Sequence, residues 1–357
     1  MKRLKGIDIF RGVIMVAMIF VHLRDWWLIG GATATFSYIT RPFIDRMFGP
    51  AFMFSAGIGA FISYENRIKN ISEKYSYRRV KYEYFFRAII IGIIALTYNI
   101  FVAIMNSNPA LIWTWFILFC IAFSLIMAWL LLKISKLYKI LISLLVIVIN
   151  EVLFWLLVPY IGQFNFYGFL YHIFFNSLSL DPILESFFFF LIGIVIGELI
   201  VEIFSIKDQT ERRKALKKKL LFPSLIIGGV LITYSFLFIF PLFFNNVGFY
   251  WIYFSMGGCL ILNSVFLTLE EYKIFDRKKS YKFLFYFSYY SFTVYLTHNI
   301  FYFLFLEQLN VYILCLLITT TIILYGLLLR FLYFKLGPKF SLKIQIGRLA
   351  ANFASSK

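Results

Sequence analysis

Ten apolar runs alternate along the chain with short polar segments, and each is close to the twenty residues that cross a bilayer as a helix. They predict helices over roughly 7–28, 44–64, 84–105, 111–132, 138–159, 182–204, 219–241, 248–269, 282–305 and 310–333. The polar connections sort by charge. Lys2, Arg3 and Lys5 lead in, and Arg67, Lys69, Lys74, Arg78, Arg79 and Lys81 fill the second connection. Lys133, Lys136 and Lys139 fill the fourth, and further basic groups follow at Lys207–Lys219, Lys273–Lys282 and Arg330–Lys357. The alternate connections, around Asn106, 160–181, Asn245 and Glu307, carry no Lys or Arg. Only the first outer connection, between the first two runs, breaks the pattern, with Arg24, Arg41 and Arg46. Cytoplasmic loops collect Lys and Arg, so both termini are expected in the cytoplasm, which requires an even number of spans.

Composition agrees: 62% of the 357 residues are hydrophobic, 22% are aromatic and only 15% are charged. A soluble fold cannot cover that much apolar surface. The expected fold is therefore all-α, a polytopic helix bundle of about ten spans forming one transmembrane domain over residues 1–357. The net charge of +18 falls in the loops, without a basic arm or a zinc-finger or RNA-binding signature, so nucleic acid is excluded as a partner. MKRLK before an apolar run imitates a signal peptide, but Asp8 and Arg11 interrupt that run, which reads as an uncleaved helix. Cys120, Cys259 and Cys315 lack metal-ligand or disulfide spacing and read as small buried hydrophobes. No metal site is expected.

The first run, KGIDIFRGVIMVAMIFVH, carries the chemistry. Asp8 and Arg11 are three residues apart, on one helix face, where they can pair. His22 lies about 21 Å further along the axis. Ionisable groups inside a span are costly and mark a pathway or a reaction site, although an Asp8–Arg11 pair could equally lock the first helix into its bundle. His298 falls about 24 Å along the ninth helix, at a depth matching His22. A single imidazole in an apolar helix is commonly interhelical glue; two at matching depth point to a site. The segment 160–181 is aromatic and nearly uncharged, which suits an interfacial belt or a lid.

These residues carry a resemblance. Asp8-Ile9-Phe10-Arg11-Gly12 followed by His22 is similar to the first helix of transmembrane acyltransferases, and the position of His22 agrees with the acyltransferase family 3 pattern. Phe43–Ser63, with Asp45 and Pro50, resembles a motif of the heparan-alpha-glucosaminide N-acetyltransferase family, as do Ser291, Tyr295 and His298 and the pair Gly193 and Gly197. Residues 23–50 lack the loop histidine of that family's lysosomal members. The resemblance implies transfer of an acyl group, acetyl in the first instance, from cytoplasmic acyl-CoA to a hydroxyl or amine of an extracytoplasmic sugar, glycan or lipid. It implies a catalytic set of His22, Asp25, Asp45 and His298, with either carboxylate orienting His22, and a donor site of Asp8, Arg11, Lys81 and Arg87. The partners implied are the lipid bilayer of the plasma membrane, acyl-CoA, the acceptor and, as an option, a second copy in a homodimer. The competing reading is a transporter or lipid flippase that uses Asp8, Arg11, His22 and His298 as a polar path; such folds commonly show paired broken helices, and no matched pair of interior breaks is evident.

Overall fold

The computed structural model describes residues 3–31, 34–72, 75–175, 182–240, 251–277 and 281–355. Among them the regular structure is helical, with no β-strand. The helices are α1 (Lys5–Trp27), α2 (Thr35–Ile68), α3 (Tyr77–Met105), α4 (Ile117–Ala128), α5 (Lys136–Leu157), α6 (Phe166–Phe174), α7 (Ile183–Phe204), α8 (Gln209–Leu216), α9 (Phe222–Tyr234), α10 (Trp251–Glu271), α11 (Ile274–Arg277), α12 (Tyr281–Tyr289), α13 (Ser291–Thr297), α14 (Val311–Lys335) and α15 (Leu342–Ser355). Nine continuous helical stretches among the described residues are long and apolar enough to cross a membrane. The protein is thus a polytopic helical membrane protein.

The ninth expected run, 282–305, is not one helix. It is split at Tyr290, whose backbone (φ −98, ψ 19) separates α12 from α13, and it tightens to a 3-10 turn over His298–Phe303. The carbonyl at the break is answered from outside the helix, since Ser341 Oγ donates to Tyr289 O at 3.3 Å. Irregular backbone at membrane depth requires such partners. Two starts also differ from expectation. The second helix begins at Thr35 rather than near 44, and the seventh span runs as a continuous stretch from Gln209 to Ile239 rather than from 219. Arg41 fell in the expected loop, but pairing with Asp25 and Asp45 lets it sit on a helix. Helix α15 was unforeseen within the basic tail.

The chain packs as two compact units. The first holds α1, α2 up to Phe52, and α8 to α14. Helix α1 is its centre: Phe10, Ile14, Met15, Ile19, Leu23 and Trp27 are fully buried. Close approach depends on glycine, because a Cβ on Gly6 would strike the Phe266 carbonyl of α10 and one on Gly12 the Leu284 carbonyl of α12. Small residues at helix crossings are the usual means of tight packing in lipid. The end of α1 is stitched to the segment before α14 by backbone bonds, Glu307 N to Trp26 O and Leu309 N to Trp27 O, both 2.8 Å, and Ile29 N to Leu309 O at 2.9 Å.

The second unit holds the rest of α2, α3 to α7 and most of α15. Gly57 of α2 and Gly193 of α7 pack backbone to backbone, and Gly197 follows one turn later against Ile58. The expected glycine pair therefore works as a helix contact. Lys139, expected among the loop charges, is instead fully buried on α5: its ammonium binds Glu198 of α7 at 2.6 Å and lies 5.1 Å from the Phe61 ring. Glu83 is likewise held, by Arg67 (3.0 Å), Arg79 (3.3 Å) and the Tyr75 hydroxyl (2.9 Å). Cys120 and Cys259 are buried as expected, but Cys315 is exposed, on the outward face of α14. In the aromatic segment, Asn165 caps α6 through Gly168 N, and Phe166 and Phe169 are exposed, as a belt requires; its residues 176–181 lie outside the described set.

Candidate active site

Helix α1 and the 3-10 turn after α13 bring His22 and His298 together. Their ring centroids are 4.9 Å apart, with planes at 41°. Trp26, one turn after His22, lies against both rings at 5.1 and 5.8 Å, and Tyr302 meets Trp26 edge-on at 5.4 Å. Tyr295 closes the other side of His298 at 5.9 Å. Spacing explains the assembly on each strand of the site: His22 and Trp26 are i and i+4 on one face, and Tyr295 is one turn before His298.

His298 is 2% exposed, and its Nδ1 lies 2.7 Å from Tyr295 O. A carbonyl oxygen can only accept, so Nδ1 carries the proton and the neutral ring keeps its lone pair on Nε2. Nε2 is enclosed and has no partner. A buried acceptor left unpaired costs free energy, and such a lone pair can take a hydrogen bond or a proton. His22 is half-buried and makes no hydrogen bond among the described residues.

Neither expected carboxylate reaches an imidazole. Asp25 and Asp45 are instead bound to Arg24, whose side chain is wholly buried. Arg24 forks onto Asp45 with Nη1 to Oδ1 at 3.0 Å and Nη2 to Oδ2 at 2.8 Å, while Nε donates to Asp25 at 2.9 Å and Nη1 to Thr40 Oγ1 at 2.9 Å. Arg41 lies 3.6 Å from both carboxylates. Two guanidiniums and two carboxylates sum to zero, which is how α1 and α2 can carry them at a span end. This also accounts for the basic residues that broke the loop charge pattern: Arg24 and Arg41 are neutralised in pairs, and Arg46 lies over the Trp251 ring at 4.9 Å. Asp25 and Asp45 therefore hold Arg24 and make no bond to His22 among the described residues, so the orienting contact expected of them is not formed.

At the other end of α1, Asp8 accepts from Arg3 Nε at 2.6 Å, from Arg3 Nη2 at 3.2 Å and from Ser288 Oγ of α12 at 3.2 Å. Arg11 is one turn away, within range of the Asp8 charge. Arg3 also lies over the Phe285 ring at 4.4 Å, and Glu270 of α10 accepts from Gly6 N at 2.7 Å, where a carboxylate meets the positive end of the helix. Asp8 therefore ties α1 to α12 through Ser288. Its negative charge makes it a holder of basic groups and no phosphate ligand itself. Lys81 is exposed and Arg87 half-buried, both on α3.

Sequence reasoning missed Trp26, Tyr302, Thr40 and Ser288. Trp26 was findable, four residues beyond His22; the others depend on contacts between segments far apart in the chain. No cluster of three or more His, Cys, Asp or Glu side chains able to hold a metal occurs among the described residues. Among known proteins, the family model described as an acyltransferase domain, acyltransferase family 3, matches residues 4–334. No curated protein matches the chain.

Proposed function

Since the chain belongs to acyltransferase family 3, we propose that this membrane acyltransferase moves an acetyl or other acyl group from cytoplasmic acyl-CoA to a hydroxyl or amine of an extracytoplasmic sugar, glycan or lipid, with the His22 and His298 pair as its base. The observation that carries the reading is the enclosed, unpartnered Nε2 of His298 beside a second imidazole. Nε2 takes the proton as the acceptor oxygen or nitrogen attacks the thioester carbonyl. The new C–O or C–N bond forms, the C–S bond breaks, and the departing CoA thiolate recovers the proton from the imidazolium. The reaction consumes no cofactor beyond the donor. An imidazole suits both halves of that exchange because its ordinary pKa lies near neutrality. His22, the more accessible ring, meets the acceptor first and shares the charge.

A polyanionic donor is drawn to cytoplasmic basic side chains, of which Arg11 in the first unit and Lys81 and Arg87 in the second are candidates for its phosphates. The acetyl group is carried over from the motif resemblance to heparan-alpha-glucosaminide N-acetyltransferases, and the plasma membrane is part of the same proposal. The deciding experiment supplies radiolabelled acetyl-CoA to inverted vesicles and separates lipid and glycan fractions. Label in either fraction, dependent on His298, supports the reading. Uptake or translocation without label transfer would replace it with the transporter.

A further inference from the structure

The span over Gln209–Ile239 is 31 residues long, about 46 Å of helix, against a hydrocarbon core of about 30 Å. Its first ten or so residues therefore stand outside the hydrocarbon. They contain Lys214, Lys217, Lys218 and Lys219, all exposed. The same helix then turns Phe222, Ile226 and Val230, spaced by four, outward at 54%, 66% and 62% exposure. Ammonium groups thus stand directly above a lipid-facing apolar stripe, at the level of phospholipid headgroups.

The nearby carboxylates are already used. Glu271 takes Arg212 in a two-pronged bond (2.9 and 3.0 Å) and Arg213 at 3.8 Å, Glu211 takes Lys214 at 2.9 Å, and Asp208 caps Glu211 N at 2.7 Å. Lys217 lies 5.5 Å over the Tyr272 ring. Lys218 and Lys219 have no carboxylate within ion-pair distance among the described residues. The backbone supplies a second observation, because Lys217–Leu221 is a π-helical turn. An i to i+5 repeat has less rotation per residue than an α-helix, so the three consecutive lysines fan over a narrower arc. Such turns are rare and frequent at functional sites.

We propose that Lys217, Lys218 and Lys219 form a binding site for the phosphodiester headgroup of an anionic phospholipid, with its acyl chains lying along Phe222, Ile226 and Val230. Charge complementarity selects this occupant: clusters of basic side chains beside a span attract anionic lipid. A merely topological role needs the charge and the apolar stripe but not the π turn beneath the lysines.

The test reconstitutes the full-length protein in phosphatidylcholine with and without phosphatidylglycerol, and counts lipids retained on release by native mass spectrometry. Phosphatidylglycerol is expected to be retained in preference to phosphatidylcholine, and the preference is expected to vanish at high salt. The triple variant Lys217→Gln, Lys218→Gln, Lys219→Gln should lose it, and the corresponding Arg triple should keep it. Glycerol phosphate and acetyl-CoA, as soluble competitors, should leave the lipid in place. Equal retention by the Gln variant means an adventitious lipid only, and displacement by acetyl-CoA means a site for soluble phosphate. Either result overturns the proposal.

Discussion

His22 and His298, 276 residues apart in the chain, face each other at 4.9 Å between ring centroids, and only one of them has its ring fixed by a hydrogen bond. Fixing Nδ1 of His298 on Tyr295 O leaves one defined acceptor, while the His22 ring is placed by its contacts with Trp26 and His298.

His298→Ala should lower acyl transfer about 10²–10⁴-fold, the usual contribution of a positioned base. His22→Ala should also lose transfer, and the double variant should lose little more than the larger single effect, because groups acting as a unit are not additive. Rates and melting temperatures measured together check this. Wild-type rates in a folded His298 variant would end the mechanism.

Arg24→Ala leaves Asp45 and Asp25 without their buried partner, which should cost about 3–5 kcal/mol. Arg24→Lys should be intermediate, since an ammonium cannot fork onto Asp45. Denaturant titration in detergent reads the stability loss. The turnover of Arg24→Lys should fall more than its donor KM rises, because the network positions the last turn of α1 and does not touch the donor.

Lys139→Ala should be strongly destabilising, again by about 3–5 kcal/mol, by leaving Glu198 partnerless. Replacing both Lys139 and Glu198 with Met should recover most of that loss. A double variant as unstable as the single one would show that the pair itself, rather than an uncompensated charge, holds α5 to α7.

Gly57→Leu and Gly193→Leu should each disrupt the α2–α7 contact, with a cost of at least about 1–3 kcal/mol from overpacking. Gly229→Leu is the control, since nothing lies within 4 Å of a Cβ there. Thermal unfolding should separate the two classes.

Cysteine placed at Asn108 should react with a membrane-impermeant reagent on intact cells, and cysteine at Lys217 only after permeabilisation. Labelling of the Lys217 position from outside would reverse the orientation assigned by loop charge.

Much of this protein was legible in the chain. Hydropathy located the spans because in lipid every backbone group must be satisfied within a helix, so a run of about twenty apolar residues has one solution. The same run exposed Asp8, Arg11 and His22, since a polar residue there needs a reason, and His298 was visible on the same ground. What the chain could not decide was pairing. Asp8 has Arg11 three residues away, yet it also engages Arg3 and Ser288. Asp25 and Asp45 look like histidine partners by position, yet the guanidinium of Arg24 offers them a fork of donors and a full charge. Lys139 reads as a loop charge until Glu198 is found beside it. The break at Tyr290 was hidden too, because no Pro or Gly marks it and the neighbouring Tyr289 carbonyl is answered by Ser341, 52 residues beyond Tyr289. Periodicity and hydropathy act over a few turns of one helix, whereas hydrogen bonds and ion pairs between helices are chosen by packing across the bundle, and that choice exists only in the folded chain.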